Sequence, residues 1–151
     1  MQVSMPYAAI TGWGKCLPPA ILSNKDLSHF VDTDEEWIVS RTGMQERRIS
    51  HVPISDLAHV ACANALASAG KAASDVDMII FGSCSFDDMV PNAASRVQKL
   101  LGASNAACID INTACTSGMY GLSVATAMIR SGVINSALVI GAEVISSVMD
   151  W

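Results

Sequence analysis

The stretch Val76-Asp77-Met78-Ile79-Ile80-Phe81-Gly82 is apolar nearly throughout. A strand with one wet face alternates polar and apolar residues. One without alternation is covered on both faces, as parallel strands between helical layers are. Its neighbours in sequence supply those layers. Before it, Ser55 is placed to cap a helix in which Leu57, Val60, Ala61, Ala65 and Leu66 recur at helical spacing until Gly70. After it, Pro91 opens a helix to about Leu101 with Gly102 behind it. Residues 107–111 read as a strand, 116–130 as a long helix rich in Ala, Ser and Met, and 137–141 as a further strand. Toward the N-terminus, residues 7–13 read as a first strand ending at Gly14. Asn24 caps a short helix carrying Leu27 and Phe30. Thr33 with Glu36 forms a capping box for another, which Gly43 stops. The order β-α-α-α-β-α-β-α-β predicts an α/β fold with a mostly parallel, helix-covered sheet.

Composition agrees. Hydrophobic residues make up 51% of the 151 and charged residues 15%, which is core-forming and not disordered. The net charge of −5 argues against a basic nucleic-acid binder. Mean hydropathy is +0.38, yet no apolar run approaches the roughly 18 residues of a spanning helix. So large an apolar surplus predicts faces covered by a partner or by further chain. Five scattered cysteines, an odd number without metal-type spacing, indicate reduced thiols and a cytoplasmic setting. No segment reads as a signal peptide, and no repeat or linker divides the chain. Residues 1–151 read as one unit.

Reactive groups in open α/β sheets sit beyond the carboxyl ends of strands. One cysteine stands at such a junction. In Asp110-Ile111-Asn112-Thr113-Ala114-Cys115-Thr116-Ser117-Gly118, Cys115 leaves a strand and opens a helix. Unpaired N–H groups and the helix dipole there favour a thiolate nucleophile and an oxyanion site. The alternative is a small core cysteine. Cys62, mid-helix, and Cys108, within a strand, read as buried and inert. Cys84 follows the second strand in position to line a cavity shared with Cys115. His29, His51 and His59 have neither metal spacing nor a junction position. No base or electrophilic partner for a thiol is evident in the chain.

A second constellation is Asp32-Thr33-Asp34-Glu35-Glu36-Trp37-Ile38-Val39-Ser40-Arg41-Thr42-Gly43-Met44-Gln45-Glu46-Arg47. Trp37 and Arg41 are one helical turn apart, so a ring and a guanidinium share a side that can stack a base and hold a phosphate. The alternative is a core Trp37 with Arg41 and Arg47 in surface ion pairs to Glu36 and Glu46.

Together the two segments resemble the beta-ketoacyl-acyl carrier protein synthase III family of the thiolase superfamily. The stretch from Asp32-Thr33 through Glu36-Trp37-Ile38 and Arg41-Thr42-Gly43 to Glu46-Arg47 resembles its N-terminal signature. Ala114-Cys115 with Gly118 resembles its active-site cysteine region, and Gly141-Ala142-Glu143 with Asp150-Trp151 the segment after the fourth strand. The resemblance implies the N-terminal half, βαβαβαβ, of a thiolase-like fold, with the C-terminal half outside residues 1–151. It implies decarboxylative Claisen condensation of an acyl-CoA with malonyl-acyl carrier protein, starting fatty-acid synthesis. Cys115 would carry the acyl thioester and its backbone N–H would serve the oxyanion. Thr33, Trp37 and Arg41 would bind coenzyme A, which enters as a thioester substrate; no resident cofactor or metal is implied. Val90 stands where well-known members carry an aromatic that reaches into the partner's acyl pocket, which predicts room for primers longer than acetyl. A homodimer is implied too. The family's catalytic histidine and asparagine, in motifs resembling His-Gln-Ala-Asn and Gly-Asn-Thr-Ser, do not occur here, so residues 1–151 alone are expected to be inactive. Two rivals share these residues: an acyltransferase of secondary metabolism that uses another acceptor, and a non-catalytic half that only pairs with a partner subunit.

Overall fold

A computed structural model of the chain describes residues 7–149; Asp150 and Trp151 of the family-like segment lie outside them. The elements run β1 (Ala20–Ser23), α1 (Asn24–Leu27), α2 (Glu35–Thr42), β2 (Glu46–Ile49), α3 (Ile54–Ala69), β3 (Met78–Gly82), α4 (Ala93–Leu101), β4 (Ala107–Ile111), α5 (Ser117–Arg130) and β5 (Ala137–Gly141), with single 3-10 turns at Ala73–Asp75 and Ile145–Ser147. The three long-range strands form a parallel sheet in the order β4-β3-β5. Met78 registers with Ala107 and Ala137, and Gly82 with Ile111 and Gly141.

The missing alternation in β3 now has its cause. Every residue of β3 is buried, and the two faces feed two cores. Ile79 and Phe81 join Ile54, Ala58, Cys62 and Leu66 of α3 and Ala94 and Val97 of α4. Met78 and Ile80 join Ala125 of α5 and Ile134. The result is a helix-sheet-helix sandwich. On α5 the buried positions are Ser117, Gly121 and Ala125, all small and four apart, so the helix lies close on the sheet. A Cβ on Gly121 would stand 2.9 Å from Val139 Cγ1.

Several helix starts differ from the sequence expectation because distant carboxylates do the capping. Ser55 lies inside α3, whose first N–H groups are taken from across the fold. Asp87 Oδ1 accepts from Ile54 N at 2.8 Å, and Oδ2 from Ser55 N at 3.1 Å and Ser55 Oγ at 2.8 Å. At α4 the helix begins at Ala93 behind an Asn92 cap, two residues later than a start at Pro91, and Asp110 accepts from Ala93 N and Ala94 N at 2.8 and 2.9 Å. Asp77 accepts from Asn135 N and Ser136 N at 2.7 and 3.1 Å, which holds its carboxyl below the usual range. Near the N-terminus Ser23, not Asn24, caps α1. Asn24 is instead buried, giving its amide to Met44 O at 2.8 Å and accepting from Arg47 Nη2 at 3.0 Å. The antiparallel pair β1-β2 has no counterpart in the sequence reading.

Residues 7–13 correct that reading more seriously: they form no strand. Gly12 and Gly14 press on α3, where a Cβ would fall 2.5 Å from Ala65 O and 2.1 Å from Ala61 O. Ser68 Oγ accepts from Trp13 N at 2.9 Å and donates to Trp13 O at 3.0 Å. The Trp13 backbone groups, committed to α3 in this way, are not free to extend a ladder. Between this segment, α3, α5 and β5 lies a cavity of about 600 Å³. The expected apolar surplus appears as surface: Tyr7, Ile10, Trp13, Met89, Val90 and Met119 are all exposed.

Candidate active site

Cys115 is exposed on a tight elbow between β4 and α5. Ala114, just before it, has φ = +52°, a left-handed conformation that costs an L-residue about 1 kcal/mol or more and persists only where its surroundings enforce it. The enforcement comes from Ser117, 2% exposed. Its Oγ accepts from Thr113 N at 2.9 Å and donates to Ala114 O at 2.7 Å, while its own N–H donates to Ala114 O at 3.1 Å. Thr116 Oγ1 donates to Thr113 O at 2.7 Å. Helix α5 begins at Ser117 with Thr116 as its N-cap, so Cys115 stands just ahead of the helix rather than within it.

Gly82, at the end of β3, sets how closely this elbow meets the sheet. A Cβ there would fall 2.7 to 2.9 Å from the backbone of Ser117 and Gly118. Beyond Gly82, Ser83 N donates to Ile111 O at 3.1 Å, so the chain leaving β3 runs beside the chain leaving β4. Glu143, after β5, gathers this loop. It accepts from Cys84 N at 2.9 Å, Ser83 Oγ at 3.1 Å, Ser85 Oγ at 2.6 Å and Cys84 Sγ at 3.5 Å. Ser83 and Ser85 are buried, and Ser85 Oγ accepts from Val144 N at 2.8 Å. Cys84 is exposed. Partial desolvation, then the Glu143 charge, then Cys115 push its thiol up from the ordinary value. Burial pushes Cys62 up to about 12, as its mid-helix position predicted; Cys108 is only half-buried, and partial burial raises its thiol as well.

The second constellation is a surface feature. Trp37 is 54% exposed, and the Arg41 guanidinium lies 5.1 Å from its ring centroid, a cation–π contact. The core-Trp alternative is therefore not what the chain adopts. The expected ion pairs are replaced too: Glu46 pairs with Arg48 at 3.3 Å, and Arg47 turns to Asn24. The cap of α2 is Asp34, whose Oδ1 accepts from Trp37 N at 2.7 Å, not Thr33. Thr33 Oγ1 is buried with no hydrogen-bond partner. Gly43 ends α2 at φ = +72°, as expected. Val90 lies in an exposed loop whose Asp88 pairs with Arg96 of α4. The cavity beside β5 touches none of Cys115, Cys84, Trp37, Arg41 or Val90. No group of three or more His, Cys, Asp or Glu among the described residues could hold a metal ion, and no described helix is long and apolar enough to cross a membrane.

The sequence reading missed Ser117, Ala114 and the Glu143 network. Only Gly141-Ala142-Glu143 hinted at the last, and the serines on either side of Cys84, Ser83 and Ser85, carry the remaining signal.

Known proteins share this architecture. Residues 109–151 match the family model described as 3-Oxoacyl-[acyl-carrier-protein (ACP)] synthase III. The chain is 58% identical over 145 residues to a beta-ketoacyl-[acyl-carrier-protein] synthase III 2 of Vibrio vulnificus, covering 96% of this chain and 40% of that protein. It is 45% identical to a synthase III of Clostridium kluyveri, covering 97% and 46%. The crystal structure of 3-oxoacyl-[acyl-carrier-protein] synthase III from Aquifex aeolicus VF5 superposes with a TM-score of 0.91 at 39% identity, covering 94% and 46%. Over the stretch it spans, the chain is similar to synthase III proteins in both sequence and fold. It spans less than half the length of these synthase III relatives. Its α/β layering is that of synthase III, and the elbow lies inside the matched residues.

Proposed function

We propose that the protein carrying this sequence is a synthase III-type condensing enzyme. Cys115 takes the acyl group of an acyl-CoA, the sulfur–acyl bond forming as the coenzyme A thiol leaves. Malonyl-acyl carrier protein then loses CO2, and the resulting carbanion attacks the thioester carbonyl and expels the Cys115 thiolate. One observation carries this reading: an exposed cysteine on an elbow that a buried serine holds in a left-handed turn, at the carboxyl end of a parallel strand. Thr33, Trp37 and Arg41 hold coenzyme A, ring against adenine and guanidinium against phosphate. The Thr33 hydroxyl, buried without a partner, is a group waiting for a ligand atom. The Cys115 N–H serves the developing oxyanion. Cys84 and Val90 border the acyl chain, and the small Val90 leaves room for primers longer than acetyl. The exposed Met89, Val90 and Met119 fit a homodimer, and five unpaired cysteines fit a reducing cytoplasm. Neither the histidine nor the asparagine motif occurs in residues 1–151, so this stretch by itself gives no condensation.

The test is incubation of the protein with labelled acetyl-CoA and octanoyl-CoA, followed by peptide mass analysis and by assay of CO2 from malonyl-acyl carrier protein. Acyl mass on the Cys115 peptide, its loss in Cys115→Ala and release of CO2 are the expected results. Acylation without CO2 release assigns another acceptor, and absence of acylation overturns the reading.

A further inference from the structure

Two thiols stand at the carboxyl edge of the sheet, and the acyl-transfer reading employs only one of them as a nucleophile. Gly82 packs directly on Ser117; Cys84 is two residues beyond the first and Cys115 two residues before the second. The Ser83 N–H bond to Ile111 O keeps the two departing chains side by side. Both cysteines are exposed, and the Cys84 thiol lies within electrostatic reach of Cys115. Cys84 is held there rather than left to wander: its N–H and its Sγ both donate to Glu143, whose carboxylate is anchored by Ser83 and Ser85.

We propose that Cys84 is a resolving thiol for Cys115, so that hydrogen peroxide converts the pair to a Cys84–Cys115 disulfide. The inference rests on the reading of Cys115 as the reactive thiol. In the first step the Cys115 thiolate attacks one peroxide oxygen. A sulfur–oxygen bond forms, the oxygen–oxygen bond breaks, and the departing hydroxide takes a proton to become water. Cys115 is now a sulfenic acid. In the second step the Cys84 proton passes to the Glu143 carboxylate as the Cys84 sulfur attacks that of Cys115. The sulfur–sulfur bond forms, the sulfur–oxygen bond breaks, and hydroxide leaves to be protonated to water. Two thiols and one hydrogen peroxide give one disulfide and two waters. A sulfenic acid without a resolving thiol goes on irreversibly to sulfinic and sulfonic acids, whereas a disulfide is restored by dithiol. The pair thus protects the nucleophile and switches it off reversibly. An acyl group on Cys115 blocks the first step, so only the idle enzyme is locked.

The experiment treats the protein carrying this sequence with hydrogen peroxide, alkylates free thiols and maps non-reduced peptides by mass. The expected result is a linked Cys84–Cys115 peptide that dithiothreitol reverses. Cys84→Ser is expected to accumulate several-fold more sulfinic and sulfonic acid at Cys115 than the parent. Glu143→Gln is expected to slow disulfide formation while the sulfenic acid, trapped with dimedone, still forms at the parent's rate. Preloading with acetyl-CoA is expected to suppress the disulfide. Over-oxidation of Cys115 at equal rates in parent and Cys84→Ser overturns the inference, and so does pairing of Cys84 with another cysteine or with a second chain. Acylation of Cys115 by labelled acetyl-CoA is read on the same samples. If Cys115 acylates but no disulfide forms, the inference alone fails; if it neither acylates nor oxidises, the functional reading fails with it.

Discussion

The elbow at Cys115 and the helix bearing Trp37 and Arg41 are assembled in opposite ways. Helix α2 is made by near neighbours: Asp34 caps it, Gly43 stops it, and Trp37 and Arg41 meet because they are four residues apart. The elbow is shaped locally by Ser117 but placed by residues distant in sequence. Gly82 sets its distance from the sheet, and Asp110, in the strand that leads to it, caps α4. Glu143 ties the neighbouring loop from the far side of the sheet. Under the proposed function the difference has a reason: a nucleophile needs a position fixed by tertiary packing, whereas a surface helix that grips a mobile substrate does not.

The sharpest way to break this contrast is to add one methyl group on each side. In Gly82→Ala the new carbon meets backbone atoms of Ser117 and Gly118 at 2.7 to 2.9 Å, and backbone cannot swing aside as a side chain does. A loss of ~3 kcal/mol is expected from such overpacking, with a large fall in Cys115 labelling by iodoacetamide. Urea unfolding and labelling rates check both. Gly43→Ala meets no atom within 4 Å and is strained only by its φ of +72°. It is expected to cost ~1 kcal/mol and to leave Cys115 labelling at the parental rate. Equal effects of the two variants would erase the distinction.

Ser117→Ala tests the clamp itself. It removes the acceptor of Thr113 N and one donor to Ala114 O while Ala114 stays at positive φ. A buried polar group losing its partner costs about 1–3 kcal/mol. Stability is expected to fall by that amount in chemical unfolding, and Cys115 acylation to slow as the elbow relaxes. Adding Ala114→Gly removes the strain, so the double variant is expected to recover part of the stability but not the acylation rate.

The cysteines extend the comparison along pH. Burial raises Cys62 from its ordinary 9.0 to about 12. A thiol whose folded pKa exceeds its unfolded one stabilises the fold fully below the unfolded value. That stability is lost as pH rises through the window from about 9 to about 12. Cys62 is therefore expected to resist alkylation at pH 8 while Cys115 reacts, and Cys62→Ala is expected to flatten the alkaline fall in stability. Thermal melts between those limits check it. Rapid labelling of native Cys62 at pH 8 would contradict its burial.

What the sequence made legible follows the same division. Strands β3, β4 and β5, the Gly43, Gly70 and Gly102 stops and the Trp37–Arg41 pairing are local patterns, and they stand where expected. The first strand failed at residues 7–13, which carry apolar side chains but whose Trp13 gives its backbone N–H and C=O to Ser68 of α3, a contact no local pattern records. The cap of α3 failed for the same reason: Asp87 acts across the fold. At the site, the Cys115 junction was readable from strand-then-helix order. The Glu143 network was not, because it depends on which loops the sheet brings side by side, and the left-handed Ala114 and its Ser117 clamp, though local, carry no residue-type signature.

The smallest structural effect is expected where the functional one is specific. Trp37 is half-exposed and its visible contact is with Arg41, a pair worth about 0.5–1 kcal/mol at such a surface. Trp37→Ala and Arg41→Ala are therefore each expected to leave the unfolding midpoint within error of the parent and Cys115 alkylation by iodoacetamide unchanged. Under the coenzyme A reading, however, both are expected to raise the acyl-CoA concentration needed for half-maximal acylation several-fold. Arg41→Lys should rescue only part of it, since an ammonium keeps the charge but loses the planar face that stacks on the ring. The decisive comparison uses an acyl donor without the nucleotide, such as an acyl-pantetheine. A helix that serves coenzyme A makes no difference to that donor, so parent and variants should acylate from it at equal rates. Equal losses with both donors would mean that α2 supports the elbow after all, and that the two regions are one structure rather than two.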